Sequence, residues 1–278
     1  MPHTRRKKNP STSNQHKRLQ VSDSSGWTHV TTTKSARRIH RNPNPNPDQG
    51  DDELLEPLVP AEAPAKTTLS DLQRQLGLYK GRWEESAAWG SVVEGLRRGL
   101  PLLSGREGES KDEDQDDVSI VCIGLGSPSG FLRGGWVDRR AISMYQLAAL
   151  VSAMGWIEKH IPSTEPGVKV YAQDPVFNTH DVSLLDSLNI TVLTHPSAFE
   201  KVTSRTLLFC PGAERRHLEI LLARDPAIVF GGPLEDIDSD AVRGFVAQRE
   251  YMVLASFDEM ETAFWGMSVY YPHLSEDG

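Results

Sequence analysis

Cysteine is almost absent from this chain of 278 residues: only Cys122 and Cys210 occur, too few for a disulfide scaffold or a four-thiolate zinc site. That scarcity suits a reducing compartment. Aromatic side chains make up 7 % of the sequence and hydrophobic ones 38 %, enough for one substantial core with appendages rather than two. No run of about eighteen apolar residues occurs, so no membrane-spanning helix is expected. Arg5-Arg6-Lys7-Lys8 is followed by no apolar stretch, which argues against a secretory signal. Acids are nearly missing from residues 1–41, which hold ten Lys and Arg against one Asp; with a formal net charge of −8 overall, everything after them carries −17. The two parts must have different work. The expected location is cytoplasmic, nuclear or both.

Residues 1–67 read as a disordered arm, basic and then proline-rich, because Asn42-Pro43-Asn44-Pro45-Asn46-Pro47 supports neither helix nor ladder hydrogen bonds. Residues 68–104 read as an N-terminal helical segment. Ser70-Asp71 is a candidate cap, Leu72, Leu76, Leu78, Tyr79 and Trp83 are expected to form one stripe, and a second helix is expected over Ala87–Leu100. Residues 105–117 carry seven acids and read as a solvated linker. From 118 to 272, short apolar runs alternate with amphipathic stretches. Strands are expected at Ser119–Ile123, Val168–Ala172, Ile190–Leu193, Thr206–Cys210, Ala227–Phe230 and Met252–Ala255, with helices at Ala141–Lys159, Val182–Leu188, Glu214–Arg224 and Asp240–Gln248. This alternation predicts an α/β fold: a doubly wound, mostly parallel, Rossmann-like sheet, because parallel neighbours need right-handed crossovers. The aromatic tail, Phe264-Trp265 and Tyr270-Tyr271, is expected to pack as a last covering segment.

In such a sheet ligands bind beyond the carboxyl ends of the strands, so the residues just past each strand are the candidates. After the first comes Gly124-Leu125-Gly126-Ser127-Pro128-Ser129-Gly130. Gly124 and Gly126 let the backbone turn sharply and approach a ligand, and Ser127 and Ser129 offer hydroxyls to a phosphate or carboxylate. The alternative is that these glycines only turn the chain. After the second strand, Asp174 stands where nucleotide-binding proteins hold ribose hydroxyls, or else caps the turn that Pro175 enforces. Gln146, in an apolar helical stretch, must find either a loop backbone or a ligand. Cys210 would be a nucleophile if His180 or His195 lay beside it; otherwise it is a small buried hydrophobe. No histidine pair has ligand spacing with a carboxylate, so no metal site is expected. In the arm, Arg5, Arg6, Lys7 and Lys8 resemble a nuclear-import address, and Trp27 sits in an apolar island that reads as a docking motif for an unidentified protein partner.

These strand-end residues resemble those of the sensitivity-to-red-light-reduced (SRR-like) domain proteins, from Ile120 to about Gly232. Ile123–Ser129, Tyr145-Gln146-Leu147-Ala148, Val170–Phe177 and Thr206–Gly212 carry the likeness, with Asp174-Pro175-Val176-Phe177 the most specific string. Trp27-Thr28-His29-Val30 is similar to a stretch near the start of many members. Two departures stand out: many members have a histidine shortly after the equivalent of Pro211, where this chain has Gly212-Ala213, and asparagine where it has Gly232. The resemblance implies a regulatory protein, linked in plants to light signalling and the circadian clock, with no established family-wide reaction; it names no cofactor. A small-ligand crevice between Gly124 and Asp174 is the accompanying expectation, with no catalytic set. The alternative is a nucleotide-cofactor enzyme, for which an S-adenosylmethionine-dependent methyltransferase fits best, since that cofactor also uses a glycine turn and an acid after the next strand. Binding to nucleic acid is disfavoured, because the acidic remainder repels a phosphate backbone.

Overall fold

A computed structural model describes residues 59–104, 117–131, 139–161 and 167–273, together with the backbone of 19–22 and 28–31. The chain divides into two units, Met1–Glu56 and Pro57–Gly278. In the first, β1 (Leu19–Ser22) pairs antiparallel with β2 (Thr28–Thr31), Val21 opposite His29. This pairing falls inside the stretch expected to lack structure. Its Leu, Val and Thr residues favour extended backbone locally, a signal that averaging over a polar arm conceals. Arg5, Arg6, Lys7, Lys8 and Trp27 lie outside the described residues, as does most of the acidic linker.

Among the described residues, the second unit is an α/β structure with one mixed sheet of seven strands and six α-helices. The helices are α1 (Leu69–Glu84), α2 (Ala87–Ser104), α3 (Arg140–His160), α4 (Thr179–Asp186), α5 (Arg215–Leu222) and α6 (Asp240–Val246). The strands are β3 (Ser119–Ile123), β4 (Lys169–Gln173), β5 (Thr191–Val192), β6 (Thr206–Cys210), β7 (Ile228–Gly231), β8 (Arg249–Val253) and β9 (Ser268–Pro272). Their order is β5-β4-β3-β6-β7-β9-β8. From β5 to β7 all neighbours are parallel, while β9 runs antiparallel to both β7 and β8. Strands β3, β6 and β7 are buried along their whole length, which explains their continuous apolar sequences.

The tail corrects one expectation. Ser268–Pro272 does not cover the sheet but enters it, with Tyr270 opposite both Val229 and Tyr251. Alternating side chains then place Val269 on one face and Tyr270 on the other.

The two faces have separate cores. On one, Ile120, Cys122, Leu207, Phe209 and Val269 meet residues of α1 to α4; on the other, Val121, Leu208, Val229 and Tyr270 meet Leu218, Leu221, Val242 and Phe245 of α5 and α6. Helices α1 and α2 share the first of these cores. Trp83, fully buried on α1, stacks on Phe264 at 4.3 Å between ring centroids. Helix α2 approaches the sheet through glycines: a Cβ on Gly95 would lie 2.6 Å from Val269, and one on Gly99 2.4 Å from Ile228.

Candidate functional site

Strands β3 and β4 are parallel neighbours with Ile123 opposite Gln173, so the loops bearing Gly124–Ser129 and Asp174 leave one rim side by side. The structure brings them into direct contact. The Gly126 amide donates to Asp174 Oδ2 at 2.8 Å, and the Val176 amide donates to Oδ1 at 3.0 Å. Both carboxylate oxygens therefore accept from the protein's own backbone. Burial raises the Asp174 carboxyl above its ordinary value, the Val176 and Gly126 amides pull it back, and the nearby Asp181 charge raises it again.

The second carboxylate is one the sequence reading missed. Asp181 is completely buried and accepts from Ser127 Oγ at 2.5 Å, from the Ser129 amide at 2.9 Å and from the Asn178 amide at 3.0 Å. It is also the third residue of α4, where it forms a capping box with Asn178. The signal was available, as Asn178 followed three positions later by an acid is a helix-start pattern. Placing the helix start at Val182 hid it.

The remaining candidates fall as follows. Ser127 Oγ also accepts from the Gly130 amide at 2.9 Å, and the Ser129 hydroxyl donates to Asn178 Oδ1 at 3.1 Å. Gly124 has φ +78°, and a Cβ there would lie 2.5 Å from the Gly212 carbonyl carbon; Gly126 has φ +71° and lies under Ser143. Gln146 stands apart: its Nε2 donates to the Ala263 carbonyl at 2.9 Å, the loop-backbone alternative. A cavity of about 480 Å³ opens beside this loop, lined by Lys66, Asp71, Gln75, Tyr79, Ser129 and Arg140. Of the six predicted ligand residues only Ser129 reaches it.

On the opposite face of the same rim, the Cys210 thiol is buried and its pKa is pushed up to about 12. Burial, with the Asp174 charge adding, holds Cys122 well above the thiol range too. His195 engages Gln173, not Cys210, so the buried-hydrophobe reading fits these thiols. Among the described residues, no group of three or more His, Cys, Asp or Glu is placed to hold a metal ion, and no helix is long and apolar enough to cross a membrane.

With this geometry in hand, comparison with known proteins adds one decisive match. A family model of the SRR1 domain covers residues 92–271, well over half of the chain. The protein belongs to the SRR1-domain family. No curated protein and no solved structure matches it. The matched span begins inside α2 and ends in β9, so it takes in the whole seven-stranded sheet, beyond the Ile120–Gly232 likeness read from motifs. Both departures from the usual SRR pattern have a local steric counterpart. A Cβ on Gly212 would lie 2.5 Å from the Gly124 carbonyl oxygen. Gly232, at φ +105°, leaves room for the Tyr270 hydroxyl, which would lie 2.8 Å from a Cβ.

Proposed function

We propose that this SRR1-domain protein is regulatory and works by binding rather than catalysis, in cytoplasm and nucleus, with the basic arm as its import address and Trp27 as part of a docking motif for a protein partner. The light-signalling and circadian association of the family is the setting this reading adopts. One observation carries it: the carboxylate standing where a nucleotide cofactor's ribose would bind has both oxygens committed to the Gly126 and Val176 amides. Each oxygen keeps a second lone pair, so a ribose would have to share a carboxylate that already accepts from two backbone amides and would find no uncommitted acid there. The glycine turn and Asp174 thus serve first as a brace between two strand ends, and a ligand in the Gly124–Asp174 crevice would have to share its carboxylate. The strand order, which reverses between β3 and β6, together with helices on both faces, supports the doubly wound reading of the fold.

Calorimetric titration of the full chain with S-adenosylmethionine and with NAD tests this. The expected result is no saturable heat for either. Saturable binding of either one, weakened by Asp174→Ala in a still-folded protein, would overturn the reading in favour of the cofactor enzyme. For the arm, deletion of residues 1–41 is expected to abolish nuclear accumulation and partner capture; unchanged distribution refutes its role.

A further inference from the structure

On the face away from the Asp174–Asp181 brace, the carboxyl rim holds a second polar cluster. Gln173, the last residue of β4, is only 3 % exposed, yet both ends of its amide are engaged. The Ala198 amide donates to Gln173 Oε1 at 3.0 Å, and a backbone N–H can only donate. The amide's NH2 end therefore faces His195 Nδ1, 3.0 Å away, and donates to it. It follows that Nδ1 carries the lone pair and that the proton of the neutral ring sits on Nε2. A buried amide thus fixes the tautomer of an exposed imidazole. The resulting Nε2–H has no acceptor among the described residues.

Two aromatic neighbours hold the ring in place. Phe199 meets His195 edge-on with centroids 5.2 Å apart, and His217 of α5 lies 5.5 Å from His195 and 5.4 Å from Phe199. Burial lowers the pKa of His217; the charge of Glu214 opposes that shift, and Arg216 and His195 add to it. Arg215 and Arg216 open α5, and the Arg216 guanidinium lies 2.8 Å from the Glu214 carboxylate.

We propose that His195 and His217 form a binding site for a phosphate-type oxyanion, free or carried on a small phosphorylated molecule, with His195 Nε2–H as the fixed donor. A metal ion fits poorly, because it needs a lone pair on the outward nitrogen and the Gln173 contact places a proton there. An oxyanion needs donors, and the outward Nε2–H supplies one beside the His217 ring, while Arg215 and Arg216, which open α5, are paired with Glu219 and Glu214. The location agrees with the general rule that ligands of open parallel sheets lie beyond the strands' carboxyl ends.

The test uses the full chain, inorganic phosphate and phenyl phosphate as probes, and long-range proton–nitrogen correlation spectra of the imidazoles. Expected in the wild type are an Nε2–H form for His195 and a joint, saturable displacement of the His195 and His217 signals; comparison of the two probes tells free phosphate from a monoester. Gln173→Glu retains the Ala198 bond but accepts from Nδ1–H, so His195 should switch tautomer and affinity should fall about tenfold or more. His195→Phe should abolish the displacement of His217 in a protein that stays folded, with a thermal midpoint a few degrees lower because the Gln173 NH2 loses its acceptor. Phosphate that displaces neither histidine, or binds equally to His195→Phe, overturns the proposal.

Discussion

Asp181 is the residue on which the glycine turn most depends. Replacing it with alanine leaves two backbone donors, the buried Ser129 N and the partly buried Asn178 N, without an acceptor and frees the Ser127 hydroxyl it had engaged. Each stranded donor costs about 1–3 kcal/mol, and the Asn178 donor is the half of the capping box that the Asp181 side chain supplies. The expected total is about 2–6 kcal/mol, a large share of the roughly 5–15 kcal/mol that holds most domains folded. Asn at this position keeps one acceptor oxygen but turns an NH2 group toward a donor, so about half the loss is expected. Thermal unfolding followed by tryptophan fluorescence, with Trp83 fully buried, should show a midpoint lowered by roughly 4–24 °C for alanine, at about 2–4 °C per kcal/mol for a domain of this size. Ser127→Ala in the Asp181→Ala background should cost less than Ser127→Ala alone, because the shared bond is already lost. A midpoint shift below about 2 °C for Asp181→Ala would refute the claim that this carboxylate organises the turn.

Three further outcomes follow from the same rim. Asp174 has a folded-state pKa raised above its ordinary value, so the folded protein holds its proton more tightly than the unfolded chain; its contribution is fully present at low pH and declines as pH rises through the folded value. The stability gap between wild type and Asp174→Asn, from urea unfolding at several pH values, should therefore be larger near pH 4 than near pH 7; the reverse trend refutes the assignment. With a thiol pKa of about 12, Cys210 has on the order of one thiolate in ten thousand at pH 8, so a disulfide reagent should leave both buried thiols untouched until denaturant is added. Fast stoichiometric labelling of native protein would contradict their burial. Gly124→Ala must place a Cβ at φ +78° against the Gly212 backbone, with an expected loss of about 2 kcal/mol or more, checked by chemical denaturation.

Strand positions were legible because burial on two faces leaves uninterrupted apolar runs, as at Ser119–Ile123 and Thr206–Cys210, where expectation and structure coincide. The strand β9 was not. Tyr270-Tyr271 reads equally well as a covering segment, and only pairing with Val229 and Tyr251, distant in sequence, makes it a strand. The same limit explains the partial view of the site. Local spacing marks Gly124, Gly126 and Asp174 as strand-end residues, but Asp174 is equally an acid for a ribose and an acid for an amide. What decides is whether a donor from 48 positions away arrives first, and the Gly126 amide does. Gln146 illustrates the other outcome, since its burial demanded a partner without naming Ala263, 117 residues on.

The rim thus divides by how its polar groups are used. On one face, Asp174 and Asp181 take up the donors of the glycine turn, so charge there adds rigidity. On the other, the buried polar group is the Gln173 amide, and what it fixes is an exposed ring whose outward N–H is unused. A polar group buried at a desolvation cost must return something. Asp181 returns it as fold stability, visible in any unfolding experiment. Exposed His195 bonds to Gln173 without adding to the core, so the return for orienting it is sought in binding. Stability assays and ligand titrations should accordingly separate the two faces: substitutions at Asp181 move chiefly the first, and substitutions at His195 chiefly the second.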